Sequence, residues 1–188
     1  SRRKPYSDVV YYSADQYGGS GAIFVSHTYQ PSSNPGPAAA HFAEVEVDTL
    51  TGLCRLTAYT AAHDVGKAIN PELCRGQVGS ALQQGMGLVF CEQVKIDPKT
   101  GQPLNATLQR YHVARAYDFP HIETVLVENG SPEGPYGAKS IGESCFVPVA
   151  PALLAAVNDA LQTDLTTLPL TPEKIIRAVQ EKRKEASL

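Results

Sequence analysis

The chain has 188 residues, with 16 Lys and Arg against 19 Asp and Glu and a formal net charge of −3. That length can bury the core of one large domain or two small lobes, and without a basic run interleaved with aromatics no nucleic acid is expected as partner. The longest apolar run, 146–157, is broken by two prolines and falls short of the roughly 18 residues of a membrane span, so no membrane is expected either.

The basic start, Ser1-Arg2-Arg3-Lys4-Pro5, lacks the apolar stretch of a signal peptide. It begins without Met and reads as the middle of a longer chain. Cys54, Cys74, Cys91 and Cys145 are scattered with no C-x-x-C pair, which predicts free thiols in a cytoplasmic protein, not a zinc or iron–sulfur site.

Tyr6 to Gln16 is weakly helical and is stopped by Gly18-Gly19, and 22–29 alternates as a strand. The prolines and serines of 30–37 predict a flexible loop. Phe42, Val45 and Val47 open a hairpin whose turn is Asp48-Thr49-Leu50-Thr51-Gly52, with Cys54 to Ala61 returning. Asp97-Pro98-Lys99-Thr100-Gly101 is a second turn of the same kind, although its flanks do not make a repeat. Asn70-Pro71 is a helix start, Asn as cap and Pro at the first helical position. The helix is expected to reach about Phe90, with Val78, Ala81, Leu82, Gly85 and Val89 on its core stripe and Gly76, Ser80, Gln83, Gln84 and Gly87 opposite. Four glycines in one helix cost about 1 kcal/mol each relative to Ala, so either tight helix packing or a ligand must gain from close approach.

Beyond it, 122–127 is predicted as a strand, 148–161 as a helix, and 165–168 as a short strand. Thr171-Pro172-Glu173 starts a terminal helix carrying Ile175, Ile176 and Val179, with a solvated, frayed tail at 181–188. Strands and helices mix without strict alternation. The expected class is α+β, a mixed sheet with helices on one face, and residues 1–188 are expected to be one part of a larger domain.

Chemistry concentrates in Gly134-Pro135-Tyr136-Gly137-Ala138-Lys139-Ser140-Ile141-Gly142-Glu143. Its glycines permit backbone conformations closed to other residues, and the apolar helix behind it offers unpaired amides to an anion. Glu143 has two readings, a cap that complements the helix dipole or a general base. His63-Asp64-Val65-Gly66 is read as a strand end with Asp64 in a turn, and Cys145 as a buried small residue.

These segments stand together in an order that resembles one family. His63-Asp64-x-Gly66 with Ile69-Asn70-Pro71, then Gly76-Gln77-Val78 with Ser80-Ala81 and Gln84-Gly85-x-Gly87, then Gly134-Pro135-x-Gly137-Ala138-Lys139 with Gly142-Glu143 are similar to the molybdenum hydroxylases, the xanthine dehydrogenase and aldehyde oxidase family. The stretches 43–52 and 168–175 add to the likeness, which runs from near Tyr6 to about Val179. It implies the C-terminal lobe of a molybdopterin-binding subunit, with Gln84 and Gly85 and the Lys139, Ser140 and Ile141 backbone touching a molybdenum–molybdopterin cofactor. Glu143 falls on the family's catalytic base, which takes a proton so that a water-derived oxygen attacks an electron-poor carbon of an N-heterocycle, xanthine-like or otherwise, or of an aldehyde. No side chain is expected to ligate the metal. Ser140 stands where the family commonly has glycine. The implied partners are the remainder of the molybdenum subunit, iron–sulfur and FAD modules and a small-molecule substrate, and a homo-oligomer is a further possible assembly. The alternatives are a non-catalytic module that keeps the fold and, on the glycine loop alone, a phosphate-binding domain.

Overall fold

A computed structural model of the chain describes residues 36–186 and the single positions 26, 28, 30 and 33. The features expected at 6–16, 22–29 and 30–37 fall wholly or largely outside that set. Alternating Val and Glu make strand β1 (Ala39–Val47), which pairs antiparallel with β2 (Cys54–Asp64). Their turn is held by Asp48, whose carboxylate accepts from the Leu50 amide at 2.8 Å and the Thr51 hydroxyl at 2.7 Å. Asp97 repeats that set with the Lys99 amide at 2.8 Å and the Thr100 hydroxyl at 2.9 Å, so the two turns share one chemistry. Gly52, at φ +73°, also lies against the backbone of Pro172, where a Cβ would sit 2.3 Å from the carbonyl oxygen.

The register of β1 on β2 slips between Glu44 and Val45. One extra residue of β2 there moves its inward side from even to odd positions, so that Leu56 is followed into the core by Tyr59, Ala61 and His63. Without that bulge His63 would face away from the helices. Strand β3 (Ile122–Val127) pairs parallel with β2, which makes the sheet mixed, in the order β1-β2-β3.

Helix α1 (Pro71–Met86) begins as expected, the Asn70 side chain accepting from the Leu73 amide at 3.1 Å, and continues as a π-helical turn over Gly87–Cys91. A one-turn helix α2 (Gly142–Phe146) precedes α3 (Val149–Leu161), so Glu143 belongs to a helical turn of its own and does not directly abut the long helix. Helix α4 (Pro172–Glu185) closes the chain, with the Lys182 ammonium donating to the Leu161 carbonyl at 2.8 Å. Leu82, Val149, Leu153, Val157 and Ile175 are fully buried with Leu56, Tyr59 and Ala61 of the sheet, each large apolar side chain contributing about 1.5–3 kcal/mol. The expected strand at 165–168 does not form. The Asn158 side chain takes both backbone groups of Leu165, accepting from its amide at 2.8 Å and donating to its carbonyl at 2.9 Å, which removes them from any ladder.

The helix glycines separate into kinds. A Cβ on Gly85 would lie 2.2 Å from Val149 Cγ1, and one on Gly87 would strike the Glu92 carboxylate, whereas at Gly76 and Gly79 it would meet nothing within 4 Å. Gly87 is therefore buried by the π-helical turn, not displayed opposite the core stripe. Gly76→Ala and Gly79→Ala should each stabilise the chain by about 0.5–1 kcal/mol. Gly85→Ala should cost about 1–3 kcal/mol through overpacking. Urea midpoints of the three variants check this, and a Gly85 variant as stable as the wild type would refute it.

Candidate functional site

Strands β2 and β3 are parallel and end level, with Asp64 opposite Val127, so the loops that follow them leave the sheet side by side. They are laced together. The Gly130 amide donates to the Gly66 carbonyl at 2.7 Å, the Lys139 amide to the Val65 carbonyl at 2.8 Å, and the Ala68 amide to the Glu128 carboxylate at 2.8 Å. Gly66, at φ +65°, sits so close to the second loop that a Cβ would come within 2.3 Å of the Gly137 carbonyl oxygen. Asp64 is the centre of this junction. It accepts from the Gly66 amide at 3.0 Å and from the Lys139 ammonium at 2.6 Å, and the Lys139 hydrogen bond, then the Gly66 one, holds its carboxyl below the usual range. The ion-paired side chains of Lys139 and Asp64 are 15% and 19% exposed, so little solvent screens them.

The glycine loop is thereby fixed at its base and strained at its tip. Tyr136 takes a left-handed conformation at φ 55° and is 92% exposed, and Gly137 follows at φ +83°. A Cβ on Gly134 would strike the Ala138 carbonyl. Lys139 has both its amide and its ammonium committed inward, whereas the Ser140 and Ile141 amides donate to no backbone or side-chain group among the described residues. Gly142 and Glu143 then open α2, where the first amides of a helix have no intrahelical partner.

The carboxylate of Glu143 is exposed and makes no hydrogen bond or ion pair within the described chain, and α2 has no side-chain cap. Next to it the Ser144 hydroxyl is buried without a partner. Helix α1 lies alongside α2, with the Gln77 carboxamide 4.0 Å from where a Cβ of Gly142 would be. Gln84 is two turns further along the same face, about 10.5 Å away along the axis. It is exposed, and its side chain donates to Ser80 Oγ at 3.4 Å and to no other described residue. Gly85 is buried under Val149, and that close contact sets where α1 holds Gln84 against α3.

A depression of about 270 Å3 opens beside Lys139 and Ile141, walled by Val65, Ile69, Leu73 and Gln77. Ile69 and Leu73 are 63% and 68% exposed. A larger cleft of about 780 Å3, near the start of β2, contains none of the expected site residues. Among the described residues no three His, Cys, Asp or Glu side chains are grouped to hold a metal ion, and no single helix is long and apolar enough to cross a membrane.

Sequence reasoning missed one cluster, Tyr59, His41, His63 and Cys145. His41 Nδ1 is 2.6 Å from the Tyr59 hydroxyl, and its Nε2 is 2.8 Å from His63 Nε2. The Cys145 thiol donates to the Ile141 carbonyl at 2.7 Å, with its sulfur 4.0 Å from His63 Nδ1. Burial, then the neighbouring His63, lowers His41 to about 4, burial lowers His63, and burial first of all raises the Cys145 thiol to about 11. Only the bulge, which brings the odd positions of β2 inward from Tyr59 to His63 and is invisible in composition, could have located it.

The molybdopterin cofactor-binding domain family matches residues 2–120. The putative xanthine dehydrogenase molybdenum-binding subunit XdhA of Escherichia coli (strain K12) is 34% identical over 157 residues, 82% of this chain and 21% of the relative. The probable hypoxanthine oxidase XdhD of the same strain is 36% identical over 164 residues, 87% of this chain and 17% of the relative, a stretch that necessarily includes 139–143. The crystal structure of quinoline 2-oxidoreductase from Pseudomonas putida 86 superposes with a TM-score of 0.71 at 38% identity, covering 75% of this chain and 18% of that one. The chain thus spans about a fifth of the length of the proteins it matches.

Proposed function

The chain belongs to the molybdopterin cofactor-binding domain family, and from that premise we propose that it is the C-terminal lobe of the molybdenum-binding subunit of a hydroxylating oxidoreductase. The substrate class is a small molecule with an electron-poor carbon, in an N-heterocycle or an aldehyde, and the oxygen inserted comes from water. The observation that carries this reading is that, among the described residues, the Glu143 carboxylate and the nearby Ser140 and Ile141 amides have no partner, next to a depression walled by exposed Ile69 and Leu73. That is half of a polar site, finished on one side only. The remainder of the subunit would supply the other wall, and iron–sulfur and FAD modules would carry electrons away.

The residues present fit a pterin-dithiolene group. Unpaired amides suit its phosphate and ring edges, and the orphaned Ser144 hydroxyl marks a polar environment next to the carboxylate. When bound, that group supplies a two-electron acceptor and activates water. The chain's own residues do the rest. The Ser140 and Ile141 amides and the Gln84 carboxamide hold it, Lys139 contributes by locking the loop onto Asp64, and Gly85 sets the position of Gln84. Glu143 takes the proton released as the carbon–oxygen bond forms, and the apolar rim excludes bulk water once the second lobe covers it.

Gln84 in this reading positions and performs no proton transfer. In the complete enzyme Gln84→Ala should lower molybdenum occupancy or shift the metal's absorption spectrum, with the rate per bound molybdenum changed far less. Full occupancy combined with a loss of rate equal to that of Glu143 variants would overturn the assignment.

A further inference from the structure

We propose that His41, His63 and Cys145 are positioning residues for the Glu143 turn: with Tyr59 they form a one-way chain of hydrogen bonds whose last donor, the Cys145 thiol, fixes the Ile141 carbonyl. The direction follows from proton counting. The Ile141 carbonyl can only accept, so at 2.7 Å the thiol must donate to it. The sulfur then has only lone pairs to offer His63 Nδ1, 4.0 Å away, so that nitrogen carries the proton. A neutral ring carries one proton, which leaves His63 Nε2 an acceptor. His41 Nε2, 2.8 Å from it, is therefore the donor, and His41 Nδ1 accepts from the Tyr59 hydroxyl at 2.6 Å. The opposite direction would leave the buried Tyr59 proton with no acceptor among the described residues and the Ile141 carbonyl without its thiol. Burial keeps both rings neutral, as the scheme requires.

The chain runs from β2, through β1 and back to β2, into α2. It ties the sheet to the peptide immediately before Gly142 and Glu143, on the side opposite the exposed carboxylate. Lys139 and Asp64 anchor the loop from one end, and the thiol anchors it from the other. For its consequence in catalysis the inference rests on the proposed role of Glu143, but the hydrogen-bond chain itself does not.

Long-range proton–nitrogen spectra of the histidine-labelled chain at pH 7 test the wiring. His41 should be protonated on Nε2 and His63 on Nδ1, both neutral; the reverse tautomers, or a charged ring, overturn the proposal. Tyr59→Phe removes the first donor and frees the chain to reverse. Both rings should then populate two tautomers, and the Gly142 and Glu143 amide signals should shift, whereas changes confined to β1 and β2 would refute a connected chain. Cys145→Ser keeps a donor and Cys145→Ala does not. In the full-length protein, amide exchange across 140–144 should stay near wild type in the first and rise severalfold in the second. Equal behaviour of the two sinks the positioning role. If Glu143 proves not to be the base, these readouts still decide the hydrogen-bond chain.

Discussion

Glu143→Gln in the complete enzyme is expected to slow substrate oxidation at least about a hundredfold, with folding and molybdenum content unchanged. A positioned general base typically contributes about 10²–10⁴-fold, and the amide has the shape of the carboxylate without its basicity. The structure makes the substitution clean. The Glu143 carboxylate bonds to nothing in the described chain and caps no amide of α2, so the amide loses no partner. Surface changes away from such features stay within about 0.5 kcal/mol. Stopped-flow reduction of the enzyme by substrate reads the rate, and elemental analysis with a thermal melt reads the rest. A variant that unfolds the lobe while the surviving protein turns over normally would return Glu143 to a structural role.

The chain on its own should bind no molybdenum and show no hydroxylase activity. Its site is one wall, with Gln84 and Glu143 exposed and the Ser140 and Ile141 amides without a partner among the described residues. A ligand held on one side keeps much of its surface in water, and its binding must still offset the loss of translational and rotational freedom, estimated at about 4–15 kcal/mol. Beside Lys139 and Ile141 the chain also displays Ile69 and Leu73, apolar surface that a cover would bury. Self-association through this face is therefore expected of the isolated chain. Stoichiometric molybdenum on the chain alone, found by elemental analysis, would overturn the half-site reading, and a strictly monomeric species in sedimentation would remove the expectation of a sticky face.

What the sequence made legible was local. The Asp48 and Asp97 turns, the Asn70-Pro71 start of α1 and the strand at 122–127 each carry their cause within a few residues, and each is present. The mixed sheet and the family followed from several such signals in register. What escaped depends on partners distant in sequence. Asp64 was read correctly as a turn residue, yet its ion pair lies 75 positions away at Lys139. The glycines of α1 look alike in the sequence, and only the arrival of Val149 against Gly85 separates packing from exposure. The strand expected at 165–168 lost its backbone groups to Asn158. A single slipped residue in β2 turned His63 inward, where hydrophobic pattern would not place a histidine. The expectations for Gln84, Gly85, Lys139, Ser140, Ile141 and Glu143 remain proposals about chemistry.

The lacing of the two strand-end loops has a consequence for how such a lobe can change. Gly130 and Lys139 are pinned to Gly66 and Val65 respectively, so the span from Pro132 to Tyr136 is a closed bow whose two feet stand on the same short segment. Residues added at its crown would cost little closure entropy, since doubling the length of a flexible loop costs about 0.6 kcal/mol. The foot at Lys139, held by the Val65 carbonyl and the Asp64 carboxylate, lies between the crown and Glu143. The strained, exposed Tyr136 at the crown is thus separated from the Glu143 carboxylate by an anchored foot, so a change of residue or length at the crown is expected to leave that carboxylate in place.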